Sequence, residues 1–382
     1  MQKKAIEIAK TSLKRCYKEE GIVAGKTHFQ YYWARDSFYA SWGALELNDI
    51  KIVKKNLETF INYQKENGQL PVRIGGKKIH QILAFTGIYT KTKKATYTQD
   101  KGFNPILDSN LLFIITFERY LIKTNDLIFA KANISSLHKA MDFLEKFEKE
   151  GLLYEGKYTT WQDSIKKKGY TMYTNTLFYK ATESLNNILN LLNIDNNFKE
   201  KKEIIKQKIN ENFYDKKLGY YIDFYNEKQR CEIFSSDGNF FAIYFGLTDK
   251  DKTNSILKNA EKLYVSKNTP SYTNSPKYDK CEVYLPFYLV NMHGYHNMDI
   301  CWPWIGCLHA INLYKNNEKT KAKEIYKKIE ILIEKDKDVY EIYEKTGKPV
   351  KRLFYTSEKE FAWGASFFIL MHNTLNNGKR NN

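Results

Sequence analysis

The sequence predicts an all-α fold, an (α/α)6 barrel in which six outer helices alternate with six inner ones, with small β-hairpin insertions in the loops at one mouth. Three observations predict it. Helical periodicity recurs about twelve times along the chain. The helical stretches alternate in character: one kind amphipathic and rich in Lys and Glu, the other apolar or small on most faces. A helix with a charged face lies outside, and one that is apolar nearly all round is buried. Finally, the connections alternate in length, short from inner to outer and long from outer to inner.

The elements follow in order. The chain opens on Met1-Gln-Lys-Lys-Ala-Ile-Glu-Ile-Ala-Lys, a charged amphipathic run read as an outer helix over 2–19 and not as a signal peptide. Asp36-Ser-Phe-Tyr-Ala-Ser-Trp-Gly-Ala-Leu-Glu-Leu, 36–47, is the first inner helix, and 50–66 the next outer one. The inner stretches 107–122, 174–193, 238–247, 299–314 and 360–375 then alternate with the outer stretches 126–148, 197–212, 250–264 and 318–335. Links such as Asn48-Asp49 and Lys123-Thr124-Asn125 are short, as antiparallel neighbours require. The long links are 20–35, 67–106, 149–173, 213–237, 265–298 and 336–359, and they hold most of the Trp, His, Gly and Pro. They gather at the N-terminal ends of the inner helices, where helix dipoles converge and where a rigid scaffold displays its sites. Within them Leu218-Gly-Tyr-Tyr-Ile-Asp-Phe and Arg230-Cys-Glu-Ile-Phe read as a hairpin, and Tyr284-Leu-Pro-Phe-Tyr-Leu-Val as a short extended piece.

Length and composition set the outer bounds. The 382 residues have room for one large domain or two average ones. No linker or low-complexity segment divides them, so 1–376 is expected to be a single catalytic domain, with 377–382 a frayed tail. The content of 29 Tyr, 23 Phe and 6 Trp suits a helical protein with an aromatic-lined cleft. The net charge of +17 is spread over many helix faces as Lys, which describes a solvated surface and no nucleic-acid partner. No apolar run approaches the roughly 18 to 20 residues that span a bilayer, and a soluble cytoplasmic protein is expected. The five Cys (16, 231, 281, 301, 307) have no CxxC spacing, so neither disulfides nor zinc are expected. Cys301 and Cys307 read as core. Ile74-Gly-Gly-Lys-Lys lacks the glycine spacing of a phosphate loop.

Asp36, Asp108, Asp237, Asp299 and Glu360 stand at the starts of inner helices, where N-capping is the ordinary explanation of an acid. Asp36 has a second one, since Tyr31-Tyr-Trp-Ala-Arg-Asp sets Trp33 and Arg35 beside it, an aromatic platform with an Arg–Asp pair suited to a sugar's face and hydroxyls. Asp163, two residues after an exposed-looking Trp161 and followed by a Lys-rich turn, lies about ten residues before its inner helix. Glu341, in Val339-Tyr-Glu-Ile-Tyr-Glu-Lys, lies about twenty before the last one. Neither is a cap. The loops that carry them lead into the third and sixth inner helices, which face each other across a six-membered ring. Two carboxyls about 6.5–9.5 Å apart, one protonated and one ionised, are the requirement of an inverting glycosidase. Solvated loop acids are the plain alternative. In His293-Gly-Tyr-His-Asn-Met-Asp-Ile-Cys-Trp-Pro-Trp, Tyr295, His296, Trp302 and Trp304 are placed to bind and stack on sugar. His293 and His296 have no companion of metal-ligand spacing, so no metal or cofactor is expected.

An ordered set of motifs then resembles the catalytic domain of glycogen-debranching amylo-α-1,6-glucosidases and related (α/α)6 glycoside hydrolases, among them glucoamylase-like enzymes, trehalases and neutral invertases. The pieces are Trp33-Ala-Arg-Asp-Ser, Gly68-Gln-Leu-Pro, Leu107-Asp-Ser-Asn-Leu-Leu-Phe with Lys123-Thr-Asn-Asp, Thr160-Trp-Gln-Asp-Ser, Tyr295-His-Asn with Trp302-Pro-Trp, Tyr340-Glu-Ile-Tyr, and Phe361-Ala-Trp-Gly-Ala-Ser. The resemblance implies an inverting exo-glycoside hydrolase acting on an α-glucoside, without metal or cofactor. Asp163 would be the general acid with a raised pKa and Glu341 the general base with an ordinary one. Trp33, Arg35, Asp36, Trp161, His296 and Trp302 would form the sugar-binding shell, with Asp108, Tyr295, Trp304 and Trp363 as further substrate-binding candidates. Two departures bear on substrate. Debranching enzymes usually carry Met-Asp-Ala where this chain has Gln162-Asp163-Ser164, and they usually add an N-terminal domain. The stretch from Arg35 to the Val53-Lys-Lys-Asn-Leu-Glu-Thr-Phe-Ile-Asn-Tyr-Gln-Lys run also resembles neutral invertases, which makes sucrose the alternative substrate. A sugar epimerase using His as acid and base, and a non-hydrolytic carbohydrate-binding protein, are the rival functions on the same barrel. No feature of the sequence specifies an oligomeric state.

Overall fold

A computed structural model describes residues 4–75, 94–263, 269, 270 and 272–377. Gly76-Lys77-Lys78 and the rest of 76–93 in the second long loop, the first residues of the predicted 2–19 helix, the end of the predicted 250–264 helix and the tail from 378 lie outside them. Among the described residues, twelve helices carry the architecture. In chain order they are α1 (Ala5–Arg15), α2 (Ala34–Glu46), α3 (Ile50–Asn62), α4 (Asp108–Thr124), α5 (Leu127–Glu145), α6 (Met172–Leu191), α7 (Phe198–Asn212), α8 (Ser236–Tyr244), α9 (Lys250–Ala260), α10 (Pro303–Lys315), α11 (Lys319–Asp336) and α12 (Ala362–Asn377).

The even-numbered helices form the inner ring. Each packs on the next in the order α2, α4, α6, α8, α10, α12, and α12 closes back on α2. The odd-numbered helices pack outside, each on at least one inner neighbour. Burial explains the division: every residue of α10 from Pro303 to Leu313 is buried, whereas α7 buries only Ile205 and Ile209. Closure between α2 and α12 depends on a close approach at Gly43. Its amide donates to Ser366 Oγ at 2.7 Å, and a Cβ there would meet Ser366 Cα at 2.6 Å. The ring is plugged by aromatic side chains. Trp363 stacks on Tyr39 at 4.6 Å and on Trp304 at 4.5 Å, Phe241 and Phe367 close the group, and the Tyr39 and Tyr173 hydroxyls meet at 3.2 Å. Much of the aromatic content is therefore barrel core, and this plug supports the floor of the site.

Three expectations are corrected. None of Asp36, Asp108 and Asp237 is an N-cap; the cap positions of their helices are Trp33, Leu107 and Ser235, and the acids sit in the first turn. Side-chain caps occur elsewhere, on Asp126, Thr171 and Asp249. Asp299 precedes its helix: Ile300–Cys301 is held as a strand against Tyr343–Glu344, and Pro303 at the first helical position sets the start. Asp299 instead pairs with Lys277 and Lys345, and Glu360 with Arg15 and Lys26. Finally, the Tyr284–Val290 piece is not extended, because Pro286 nucleates a helical turn over Pro286–Leu289.

The expected hairpin is Tyr220–Asn226 with Gln229–Ser235, and it joins a larger antiparallel sheet. Its order is Asn274–Ser275, Gln229–Ser235, Tyr220–Asn226, Gly169–Thr171, Leu152–Glu155, Glu148–Lys149, with Tyr214–Asp215 paired to Tyr220–Tyr221. A second sheet of Tyr32–Trp33, Arg73–Ile74 and Ala95–Thr96 ties the first long loop to the second. These short strands fix loops that helical packing alone would leave loose.

Candidate functional site

The long loops enclose a cavity of about 910 Å³. Trp33, Arg35, Asp36, Asp108, Trp161, Asp163, Tyr295, His296, Trp302, Glu341 and Trp363 all line it. Trp304 does not. It is the second residue of α10 and is fully buried in the plug, 4.9 Å edge-on to Trp161. It shapes the floor without reaching the cavity. Trp161 itself is not exposed, contrary to what its loop position suggests. It is 2% exposed, held edge-on against His296, Trp302, Trp304 and Trp363, and its one donor, Nε1–H, is satisfied by Asp237 Oδ2. An indole with that bond made loses nothing by burial.

Asp163 is held by its neighbours on either side. Gln162 donates from Nε2 to the His296 carbonyl at 3.2 Å, and Ser164 Oγ meets His296 Nδ1 at 2.8 Å. Gln162 and Ser164 are the two departures from the debranching pattern, and here both serve to dock the loop on His296. The Lys-rich turn that follows is not all solvated. Lys167 is buried and pairs with buried Asp223 at 2.6 Å, while also donating to Gln162 Oε1. Tyr278 completes the cluster with a 2.7 Å bond to Asp223.

The carboxyls fall into three environments. Asp163, about a third exposed, pairs with Lys101 Nζ at 2.9 Å, and His296 Nδ1 lies 3.8 Å away. Burial raises its pKa, but the nearby positive charge of Lys101 outweighs that and holds it below the usual Asp value. Glu341 is enclosed. Tyr295 donates to Oε1 at 2.6 Å and Tyr355 to Oε2. Each such bond favours the ionised form by about 1.5–3 kcal/mol. Burying a carboxylate without a cation costs several kcal/mol, so burial prevails and Glu341 is pushed up to about 8. The expected order, a raised Asp163 and an ordinary Glu341, is thus reversed, because the lysine that pairs with one of these acids stands beside Asp163. Asp36 is pushed up to about 7 by burial despite Arg35. Asp108 accepts from Arg35 Nε at 2.5 Å and from the Tyr173 hydroxyl at 3.3 Å, leaving Oδ1 without a partner among the described residues.

His296 is held neutral: burial lowers it to about 3, and it stacks on Trp302 at 5.2 Å. Sequence reasoning missed Tyr355, Lys101, Arg73 and His28, all of which line the cavity. Lys101 and Tyr355 sit in loops without periodicity, and no spacing signalled them. Among the described residues, no group of three or more His, Cys, Asp or Glu is arranged to hold a metal ion, and no helix is long and apolar enough to cross a membrane. All five cysteines are free thiols.

Known proteins share this outline. The family model described as amylo-alpha-1,6-glucosidase matches residues 8–366. By sequence alone, no curated protein matches the chain. Among solved structures, a GH63 mannosylglycerate hydrolase from Thermus thermophilus, in complex with Tris and D-glycerate, aligns with a TM-score of 0.72 at 13% identity, covering 96% of this chain and 99% of that one. A rhamnosidase from Klebsiella oxytoca with rhamnose bound aligns at 0.67 and 13% identity, over 97% of this chain and 63% of that one. At these identities the likeness is one of fold.

Proposed function

The chain belongs to the amylo-alpha-1,6-glucosidase family and is a glycoside hydrolase with a carbohydrate substrate, and from that premise we propose that it is an inverting exo-acting enzyme that cleaves an α-glucoside. The observation that carries the reading is that Asp163 and Glu341, from loops entering opposite helices of the inner ring, line one cavity. Asp163 protonates the departing glycosidic oxygen. Glu341, fixed at both oxygens by tyrosine donors, takes a proton from the attacking water on the other face of the sugar. Arg35, Asp36 and Asp108 bind hydroxyls of the terminal glucose, Trp161, Trp302 and Trp363 supply its apolar wall, and Tyr295 and His296 complete the pocket.

In this scheme a substrate separates Asp163 from Lys101, the single proton of the pair, held on Glu341 in the free enzyme, comes to reside on Asp163, and Glu341 is left ionised to act as base. A second reading exchanges the two roles, and one observation favours it: in the free enzyme Glu341 is the carboxyl raised to about 8 and Asp163 the one depressed. Chemical rescue distinguishes them. α-Glucosyl fluoride needs no acid to expel its leaving group, so the variant lacking the acid still turns it over, and the variant lacking the base does not. The first reading expects Asp163→Asn to hydrolyse the fluoride and Glu341→Gln to fail; the converse would exchange the roles. His296, neutral down to about pH 3, is poorly suited to the acid–base work of an epimerase. A panel of maltotriose, isomaltose, a branched dextrin, trehalose and sucrose tests the substrate. Among these neutral sugars glycogen-type α-glucans are expected to lead, and turnover of sucrose alone would move the enzyme to the invertase side.

A further inference from the structure

Among the described residues, one cationic side chain lining the cavity has no acidic partner. Arg73 is 1% exposed and borders the cavity next to Trp33, whose ring lies 4.9 Å from its guanidinium. Neither Nε nor Nη1 has a hydrogen-bond partner among those residues, and Nη2 has a long one to Thr96 Oγ1 at 3.4 Å. The Arg35 and Lys101 cations that also line the cavity are neutralised, Arg35 by Asp108 and Lys101 by Asp163. From Asn67 to Gln99 the sequence contains no Asp or Glu at all, while it contains Lys77, Lys78, Lys91, Lys93 and Lys94. Exposed Asp100, which lines the same cavity, offsets the charge in part without forming an ion pair with it, and burial leaves Arg73 below its ordinary pKa. Stacking on Trp33 and Tyr31 gives the guanidinium a face to pack on without neutralising it. A buried charge of this kind calls for a counter-ion.

We propose that Arg73 forms an anion subsite of this cavity, and that the glucoside substrate carries an oxyanion, a carboxylate or a phosphate ester, that seats on it. The guanidinium charge is delocalised, so an oxyanion bonded where Arg73 borders the cavity compensates the whole group. The proposal rests on the glycosidase reading for the identity of the ligand, but not for the existence of the subsite. Binding of small probes separates the two. Titration calorimetry of the full chain with glycolate, inorganic phosphate and neutral ethylene glycol, in low-chloride buffer, is expected to show saturable binding of at least one anion and none of the diol. Arg73→Gln is expected to weaken that binding about tenfold or more, as loss of a charge-assisted pair does. Arg73→Lys keeps the charge and serves if the Gln variant fails to fold; it is expected to weaken binding severalfold by loss of the planar fork. Preference for glycolate marks a carboxylate substrate, and preference for phosphate a phosphorylated one. Absence of anion binding to the wild type, or equal binding by both variants, overturns the subsite. Anion binding that depends on Arg73, with no turnover of any glucoside, instead upholds the subsite and rejects the glycosidase reading of its ligand.

Discussion

Tyr355 and Tyr295 decide how readily Glu341 gives up its proton, and their effect has a definite sign. Both donate to the carboxylate, and a bond to the ionised form lowers its pKa. Removing the Tyr355 hydroxyl therefore raises Glu341 above its value of about 8. The alkaline limb of kcat/KM, which reports the free enzyme, is expected to move up by about one pH unit in Tyr355→Phe. An unmoved or lowered limb would detach Glu341 from that limb. Asp163→Asn and Glu341→Gln are each expected to reduce hydrolysis of a natural glucoside by several orders of magnitude with circular dichroism unchanged; near-normal turnover would remove that residue from the mechanism. Much at this scale was legible in the chain. The two acids that capping did not explain, Asp163 and Glu341, line the cavity, as does the Trp33–Asp36 cluster. The tyrosine clamp and Lys101 were not legible, because a residue on a long aperiodic loop acquires its partners only from the fold. Without them the protonation order could not be foreseen.

At the scale of elements, the loop carrying Asp163 is held by the Lys167–Asp223 pair, both members of which are buried. Removing one member leaves the other uncompensated, at a cost of about 3–5 kcal/mol. Lys167→Met is expected to lower stability to urea by that order and to reduce kcat through displacement of Asp163. A loss of activity without loss of stability would show that the pair is not what holds the loop. Helix types and their alternation followed from periodicity, as with apolar α10 and charged α7, since burial of a whole helix leaves its mark on every residue. Starts were less legible. Acids in the first turns of α2, α4 and α8 looked like caps, but Trp33, Leu107 and Ser235 hold the cap positions, two of them at the ends of the strands Tyr32–Trp33 and Gln229–Ser235. Strands of two or three residues carry too little pattern to be read ahead of the structure.

For the molecule as a whole, the buried carboxyls of the cavity couple function to stability. Glu341 is raised from 4.5 in an unfolded chain to about 8 in the folded one. Between those values the folded state keeps a proton that the unfolded state has lost, so stability falls as pH rises, by up to about 1.4 kcal/mol per unit. Below the unfolded value the penalty is absent, and above about pH 8 it is complete. Glu341→Gln, neutral at every pH, is expected to flatten the decline of melting temperature between pH 5 and 8 while abolishing turnover. A decline as steep as that of wild type would place the proton elsewhere. The closed ring, with its aromatic plug and its long loops at one mouth, makes such a site possible by holding two opposite carboxyls over one floor. That they act on opposite faces of a sugar is the central claim, and the anomer released first tests it most directly. Proton NMR of an α-glucoside in the first minutes of hydrolysis is expected to show β-glucose appearing before mutarotation; α-glucose appearing first would contradict it.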